Sequence, residues 1–307
     1  MPPQTRRPLS WLSEFLAAAA VFSGVGYLLT AYTLSRWLTR PSRGTPRPTP
    51  ADFNLPCEDV QCVTKDGFRL AGWVVAPPNP RATVALFHGV RNNRAQTLPR
   101  ISMLAAAGYR CVAFDHRCHG QSPGRRVSFG YNEAQDVEAV LDFVAERWPT
   151  QPCAAIGISM GAAALCFCGR RASRLSACVL ESLYHDIASA LENRIGTRFP
   201  GWLARFTRGL IWVTEMRLGL KLAQVSPADH IANLAPVPML MLTGTDDPLA
   251  SPADAQRLCQ RFGGVCQLAH IIGADHDNLC TVDPDAYRRL VLEFLDRQMP
   301  AQTTIAA

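Results

Sequence analysis

The pentapeptide Gly157-Ile158-Ser159-Met160-Gly161 constrains the fold of this chain more than any other stretch. An apolar run precedes it and a run of helix-forming residues follows it, so the sequence predicts a strand, a sharp turn and a helix. Glycine on both sides suits such a turn because it leaves little room for side chains, and the serine hydroxyl is then exposed above the sheet. A chance match is the alternative, expected in roughly one chain in ten of this length. The rest of the sequence therefore has to supply an acid, a base and an oxyanion hole.

Composition limits the classes of protein that this chain can represent. It has 307 residues, 48% of them hydrophobic, which is enough for one large domain and an appendage. The net charge of +6 comes from 31 basic and 25 acidic residues without a nucleic-acid-binding pattern, so no nucleic-acid partner is expected. The 11 cysteines form no C-x-x-C pair and favour unpaired thiols in a reducing compartment. A Cys57–Cys62 disulfide is the less favoured alternative.

The N-terminal region predicts attachment to a membrane. Residues 15–34 carry no charge and match the length of a helix that crosses a bilayer, so we expect an N-terminal tail over 1–14 and a single transmembrane anchor over 15–37. A cleaved signal peptide is the alternative, although the apolar run is long for one. Residues 38–56, rich in proline and arginine, predict an extended tether. Arginines on this flank place the catalytic domain on the cytoplasmic side.

Strands alternate with helices from residue 57 to 298, which predicts an α/β domain with a mostly parallel eight-stranded sheet and helices on both faces. The predicted strands are residues 60–64, 69–76, 83–87, 111–114, 153–156, 177–180, 238–243 and 265–271. A short C-terminal tail follows over 299–307. The domain is thus expected to be one unit that begins after the tether.

An apolar insertion at about 183–226 interrupts this alternation. Leu203, Phe206, Leu210 and Val213 fall on one face of a predicted helix. Such a helix either packs on the core or covers the site as a cap, and the two interpretations are compatible.

A serine hydroxyl needs a histidine to take its proton and an acid to orient that histidine. After a strand–serine–helix turn, the acid and then the histidine are expected on loops that follow later strands. Asp247 follows the strand at 238–243, and His276 follows the strand at 265–271. Asp246 and Glu181 are alternative acids, and Glu181 is more readily explained as a structural hydrogen-bond acceptor.

Residues 57–298 resemble the α/β-hydrolase superfamily and, within it, membrane-anchored hydrolases related to serine aminopeptidases and monoacylglycerol lipases. The resemblance rests on His88-Gly89, on Asp115-His116-Arg117-Cys118-His119-Gly120-Gln121-Ser122, on the spacing of Gly244 and Asp247, and on His276. Cys118 stands where the family motif usually has glycine.

This resemblance implies roles for particular residues. Ser159 would attack a carbonyl carbon, His276 would act as the base, and Asp247 would orient His276. The backbone N–H groups of Val90 and Met160 would form the oxyanion hole. No cofactor and no metal site are implied.

The expected activity is hydrolysis of carboxylic esters through an acyl-enzyme. A small-molecule or lipid acyl substrate is favoured, because the predicted anchor and the apolar cap suit a substrate that partitions into membranes. A serine peptidase or amidase of the same fold is one alternative, and a non-catalytic, membrane-tethered binding module is the other. The sequence predicts no oligomeric state.

Overall fold

The computed structural model describes the backbone of residues 10–196 and 207–300, with side chains throughout except those of residues 10–22, 170 and 194–196. Residues 1–9 and 301–307 of the predicted tails lie outside the described residues, whereas the backbone of residues 10–14 forms the start of the N-terminal helix.

One eight-stranded sheet forms the centre of the molecule. Its strands are β1 (Cys57–Val63), β2 (Arg69–Val75), β3 (Ala82–Phe87), β4 (Tyr109–Phe114), β5 (Cys153–Ile158), β6 (Ala177–Glu181), β7 (Met239–Gly244) and β8 (Cys266–Ile271). Their order across the sheet is β8-β7-β6-β5-β3-β4-β2-β1.

The sheet is mixed, because β2 runs against both of its neighbours while β3 to β8 are parallel to one another. The hairpin of β1 and β2 pairs Val63 with Arg69 and turns at Gly67, whose φ of +86° suits glycine. The prediction of a mostly parallel eight-stranded sheet is confirmed.

Helices cover both faces of the sheet, as predicted. They are α1 (Ser10–Leu38), α2 (Leu98–Ala106), α3 (Ala134–Arg147), α4 (Met160–Phe167), α5 (Ile187–Gly196), α6 (Thr207–Leu218), α7 (Pro227–His230), α8 (Pro252–Phe262), α9 (Leu279–Val282) and α10 (Pro284–Gln298). Buried residues of α2 and α10 pack into one core cluster, and those of α3, α4 and α8 pack into a second on the opposite face. Strands β3, β4 and β6 are buried at every residue and are mainly apolar, because a parallel sheet covered on both faces leaves no side exposed to solvent.

The N-terminal helix α1 covers the predicted anchor at 15–37. Among the residues that the structure describes, no helix combines the length and the apolar content needed to cross a membrane. The side chains of residues 15–22, which belong to the predicted span, lie outside that description.

The segment that follows α1 differs from the extended tether predicted over 38–56. Residues Ser42–Arg43 pair in parallel with His119–Gly120, and the Val127 N–H donates to the Thr39 carbonyl at 3.0 Å. A short 3₁₀ helix forms at Pro50–Phe53. Proline and glycine do keep long helices and strands out of this segment, but backbone hydrogen bonds fasten it to the domain.

The insertion at 183–226 contains α5 and α6. Leu210 and Val213 are buried on α6, in agreement with the predicted apolar face, whereas Leu203 and Phe206 lie outside the described residues. Helix α6 packs against α1, so part of this insertion contacts the N-terminal helix.

The cysteines depart from the expectation of unpaired thiols. Cys259, near the end of α8, and Cys266, at the start of β8, form a disulfide. Cys57 and Cys62, the alternative pair, are both free. The bonded cysteines are only seven residues apart, and the reversal between α8 and β8 brings them together.

Candidate active site

Ser159 lies in the tight turn between β5 and α4, where its φ is +50°. This left-handed conformation is costly for a residue with a side chain, and such strain is typical of functional turns. A Cβ on Gly157 would lie 2.6 Å from the Ala162 nitrogen, and a Cβ on Gly161 would lie 2.3 Å from the Phe87 carbonyl oxygen. Both positions therefore require glycine, because the two ends of the turn and the neighbouring strand leave no space.

The structure brings Ser159, His276 and Asp247 into one hydrogen-bonded chain. Nε2 of His276 lies 2.9 Å from Oγ of Ser159, and Nδ1 of His276 lies 2.9 Å from Oδ2 of Asp247. The tautomer with the proton on Nδ1 satisfies both contacts, since Nδ1–H donates to the carboxylate and Nε2 accepts from the serine hydroxyl. This arrangement can take a proton from the serine and stabilise the resulting imidazolium.

The acid that contacts His276 is Asp247. Its side chain is buried, and Oδ1 also accepts from the backbone N–H groups of Leu249 and Ala250 at 2.8 and 2.9 Å. Asp246 is exposed and accepts from its neighbour Thr245. These contacts fix the orientation of the Asp247 carboxylate toward the histidine.

The contacts of Glu181 are those of a structural hydrogen-bond acceptor. Its buried carboxylate accepts from the guanidinium of Arg100 and from the Tyr287 hydroxyl. Its backbone carbonyl accepts from the Ser159 N–H at 2.8 Å, so Glu181 supports the nucleophile through the main chain. Burial, followed by the charge of Glu181, raises the pKa of Tyr287 well above its ordinary value, so the phenol keeps the proton that it donates.

The two residues predicted to supply the oxyanion hole flank the serine. Met160 is the first residue of α4, where the helix dipole favours negative charge, and Val90 lies on the loop after β3. The Gly89 N–H donates to Oε1 of Gln96 at 2.8 Å, which holds this loop in place. Val90 and Met160 both line the cavity that contains Ser159 and His276.

Two buried histidines support the same loop. Nε2 of His119 accepts from the Arg91 N–H at 3.2 Å, while its Nδ1 contacts the Arg117 carbonyl. Nε2 of His88 accepts from the His116 N–H at 3.0 Å. Both histidines must be neutral to accept in this way.

Burial keeps these imidazoles neutral. It lowers the pKa of His119 to about 4. It also lowers the pKa of His88 well below its ordinary value, and the neighbouring His116 and His119 add to that shift. The loop that carries Val90 is therefore held by neutral imidazole acceptors at neutral pH.

Cys118, the departure from the family motif, adopts a φ of +67°. The backbone thus keeps a conformation that glycine adopts freely, although a side chain is present. The thiol is buried beside Val90, Val127 and Met160. Burial raises the pKa of this thiol to about 12, so it packs as a neutral, apolar group.

Ser159 and His276 line a cavity of about 350 Å³. Its walls are largely apolar, and they include Trp37, Leu38, Phe129, Ile187, Leu191 and Leu249. Among the described residues, no group of three or more His, Cys, Asp or Glu side chains is placed to hold a metal ion.

Sequence reasoning missed several residues of this site. Phe129 has a φ of +56° and lines the cavity, and its carbonyl accepts from the buried Tyr184 hydroxyl. Ser182 has a φ of +48°, and its Oγ donates to the His276 carbonyl at 3.1 Å. Trp37 lies in the segment predicted as a membrane anchor. None of these residues carries a motif, so only their positions in space identify them.

The sequence of this chain is similar to a family model and to several known proteins. A family model described as serine aminopeptidase, S33, matches residues 78–222. The uncharacterized protein YqkD of Bacillus subtilis is 28% identical over 243 residues, which cover 75% of this chain and 76% of that protein. A monoacylglycerol lipase of Mycolicibacterium smegmatis is 34% identical over 85 residues, which cover 27% of this chain and 30% of the lipase.

A solved structure shares the fold. An esterase of Pyrococcus furiosus superposes with a TM-score of 0.72 at 24% identity, covering 85% of this chain and 98% of the esterase. At this level of identity the similarity establishes the architecture and leaves the substrate open.

Proposed function

We propose that this chain is a serine hydrolase of the α/β-hydrolase superfamily that cleaves carboxylic esters through an acyl-enzyme. The observation that carries this proposal is the hydrogen-bonded chain from Ser159 Oγ through His276 to Asp247. The strained conformation of Ser159 and the buried, oriented carboxylate of Asp247 support it.

The reaction would proceed in two halves. Ser159 Oγ attacks the acyl carbon while His276 Nε2 takes the hydroxyl proton, and the N–H groups of Val90 and Met160 stabilise the oxyanion. The C–O bond to the leaving alcohol then breaks, and His276 returns the proton to that oxygen. Water repeats the sequence on the acyl-enzyme and releases the acid. Asp247 keeps its charge throughout and stabilises the imidazolium.

Lipophilic acyl esters fit the site best. The cavity walls are largely apolar, and each methylene group that enters them adds about 0.8 kcal/mol of binding free energy. We therefore expect kcat/KM to rise about fourfold for each methylene until the cavity is filled. The monoacylglycerol lipase among the similar proteins supports the same substrate class.

Labelling with a fluorophosphonate probe tests the mechanism. The wild-type protein should label, Ser159→Ala should not, and a panel of p-nitrophenyl esters from acetyl to decanoyl should then show the rise with chain length. A wild-type protein that does not label, or labels as strongly as Ser159→Ala, would reject the mechanism. A preference for acetyl over octanoyl esters would reject the lipophilic substrate class alone.

A serine peptidase or amidase is the second candidate, and the family model described as serine aminopeptidase favours it. The same nucleophile and oxyanion hole serve both reactions. Aminoacyl p-nitroanilides measured beside the esters separate the two. A kcat/KM that is higher for an anilide than for every ester would favour the peptidase.

We also propose that α1 attaches the protein to a membrane with the catalytic domain on the cytoplasmic side. Val25, Leu28 and Leu29 are between 44 and 61% exposed, although they are apolar. The arginines that follow the helix suit an anionic surface. Flotation of the full chain with vesicles that contain anionic lipid would support attachment, and recovery only in the lipid-free fraction would contradict it.

A further inference from the structure

The N-terminal helix ends inside the candidate active site. Trp37 and Leu38, its last two residues, line the cavity that contains Ser159 and His276. The matched family model begins only at residue 78, so these residues come from outside the part of the chain that it covers. A wall of the cavity is therefore supplied by a helix that the hydrolase motifs do not include.

This helix is fastened to the cap by specific contacts. Ser35 on α1 and Thr39, which directly follows α1, are buried, and Nη1 of Arg217 on α6 donates to the hydroxyl oxygens of both, at 2.8 and 3.0 Å. A Cβ on Gly209 of α6 would lie 1.9 Å from the Tyr27 hydroxyl, so the Tyr27 side chain of α1 packs directly over this glycine. The end of α1 is thus held in a defined position beside the cavity.

Trp37 is also held by the oxyanion loop. The guanidinium carbon of Arg91 lies 3.4 Å from the centroid of the Trp37 ring, and Nη2 of Arg91 donates to the Trp37 carbonyl at 2.9 Å. The hydroxyl of Ser42 donates to the Arg91 carbonyl at 3.0 Å. Stacking on Arg91 and the hydrogen bond from Arg91 together fix the indole at the cavity wall. Arg91 directly follows Val90, one of the two predicted oxyanion-hole residues.

Trp37 meets the outside of the molecule as well as the cavity. Its side chain lines the cavity and is still 45% exposed. An acyl chain long enough to reach this wall would contact the indole.

We propose that Trp37 determines the acyl-chain selectivity of this enzyme, as part of a wall that the N-terminal helix contributes to the active site. The inference rests on the proposed ester hydrolysis and extends it to the recognition of medium and long acyl chains. Trp37 does not act on the reacting atoms. It provides contact area for the distal methylene groups of the substrate.

Substitution of Trp37 in the full chain tests this role. Trp37→Ala should lower kcat/KM for p-nitrophenyl octanoate and decanoate about tenfold, while kcat/KM for the acetate stays within about threefold, because an acetyl group is too short to reach the wall. Trp37→Phe should recover most of the long-chain activity. The backbone carbonyl that Arg91 binds is retained in both variants.

Trp212→Ala is the matched control. Trp212 is 53% exposed on α6 and is not among the residues that line the described cavity. Its substitution should leave the whole chain-length profile unchanged. Equal losses of kcat/KM for the long-chain esters in Trp37→Ala and Trp212→Ala would therefore contradict the proposal.

The outcomes also separate this inference from the proposed function. One outcome is that wild-type protein labels with the fluorophosphonate and hydrolyses esters while Trp37→Ala keeps the wild-type dependence on chain length. In that case the selectivity role is wrong and the proposed hydrolase function still holds. A fall in the kcat/KM of Trp37→Ala that is equal for acetate and octanoate also overturns the selectivity role, because it indicates an effect through the loop that carries Arg91. If wild-type protein neither labels nor hydrolyses any ester, the proposed function itself is wrong.

Discussion

Nδ1 of His276 lies 2.9 Å from Oδ2 and 3.1 Å from Oδ1 of Asp247, so both carboxylate oxygens face the same imidazole nitrogen. The two residues follow β8 and β7, which are neighbours in the sheet. Parallel strands end at the same edge, and this brings together side chains that are 29 residues apart in the sequence.

Asp247→Asn tests this relationship. The amide oxygen can still accept from the Leu249 and Ala250 N–H groups, so the loop should keep its shape. The neutral side chain cannot stabilise the imidazolium, and we expect kcat to fall about 10⁴-fold. Steady-state kinetics on an ester measure the effect. Asp246→Asn, at an exposed position, should stay within about twofold, and equal losses in the two variants would reject the assignment of the acid.

Gly161→Ala tests the steric requirement of the turn around Ser159. The new methyl group would meet the Phe87 carbonyl oxygen at 2.3 Å, and main-chain atoms cannot move aside cheaply. We expect a loss of about 1–3 kcal/mol in the free energy of unfolding, together with loss of activity. Urea denaturation and probe labelling measure the two effects. Gly44→Ala, where no atom lies within 4 Å of the added Cβ, should change stability by less than about 0.5 kcal/mol.

Ser182→Ala tests a residue that positions His276. The variant loses the hydrogen bond from Oγ to the His276 carbonyl, which holds the loop but touches no reacting atom. We expect kcat to fall about fivefold, equivalent to about 1 kcal/mol, with KM unchanged. Ser182→Gly suits the φ of +48° at this position and also lacks the hydroxyl, so it should show a similar loss of kcat. An increase in KM without a change in kcat would instead assign Ser182 to substrate binding.

The buried histidines predict acid sensitivity. Burial lowers the pKa of His119 to about 4, whereas an unfolded histidine titrates near about 6.5. At a pH between these two pKa values, His119 binds a proton in the unfolded chain but not in the folded one. The free energy of unfolding therefore decreases as the pH falls. His119 alone should lower the free energy of unfolding by about 2 kcal/mol between pH 7.5 and pH 5. His88 shifts in the same direction.

Urea denaturation at the two pH values measures this loss. His119→Asn should remove the His119 contribution and so reduce the difference between pH 7.5 and pH 5. His270→Asn, at an exposed position, should leave the difference as in the wild-type protein. The same pH dependence in all three proteins would show that His119 is not the responsible group.

Local sequence determined much of this protein. The alternation of strands and helices predicted the mostly parallel sheet, because apolar periodicity follows directly from which side of an element faces the core. The glycines around Ser159 predicted the turn, since the close contacts of Gly157 and Gly161 involve residues near in sequence or on the adjacent strand. The order of Ser159, Asp247 and His276 predicted the residues that the structure places in hydrogen-bond contact.

Tertiary structure decided what local patterns do not encode. The choice between Asp246 and Asp247 depends on which carboxylate the loop turns inward, and both share the same sequence neighbourhood. Proline and arginine predict an extended tether after α1, and the structure adds backbone hydrogen bonds from this segment to distant residues of the domain. Such bonds leave no periodicity in the sequence. For the same reason, the uncharged run at 15–34 predicted a membrane anchor, whereas only packing against α6 and Arg91 brings Trp37 and Leu38, at the end of α1, to the wall of the candidate active site.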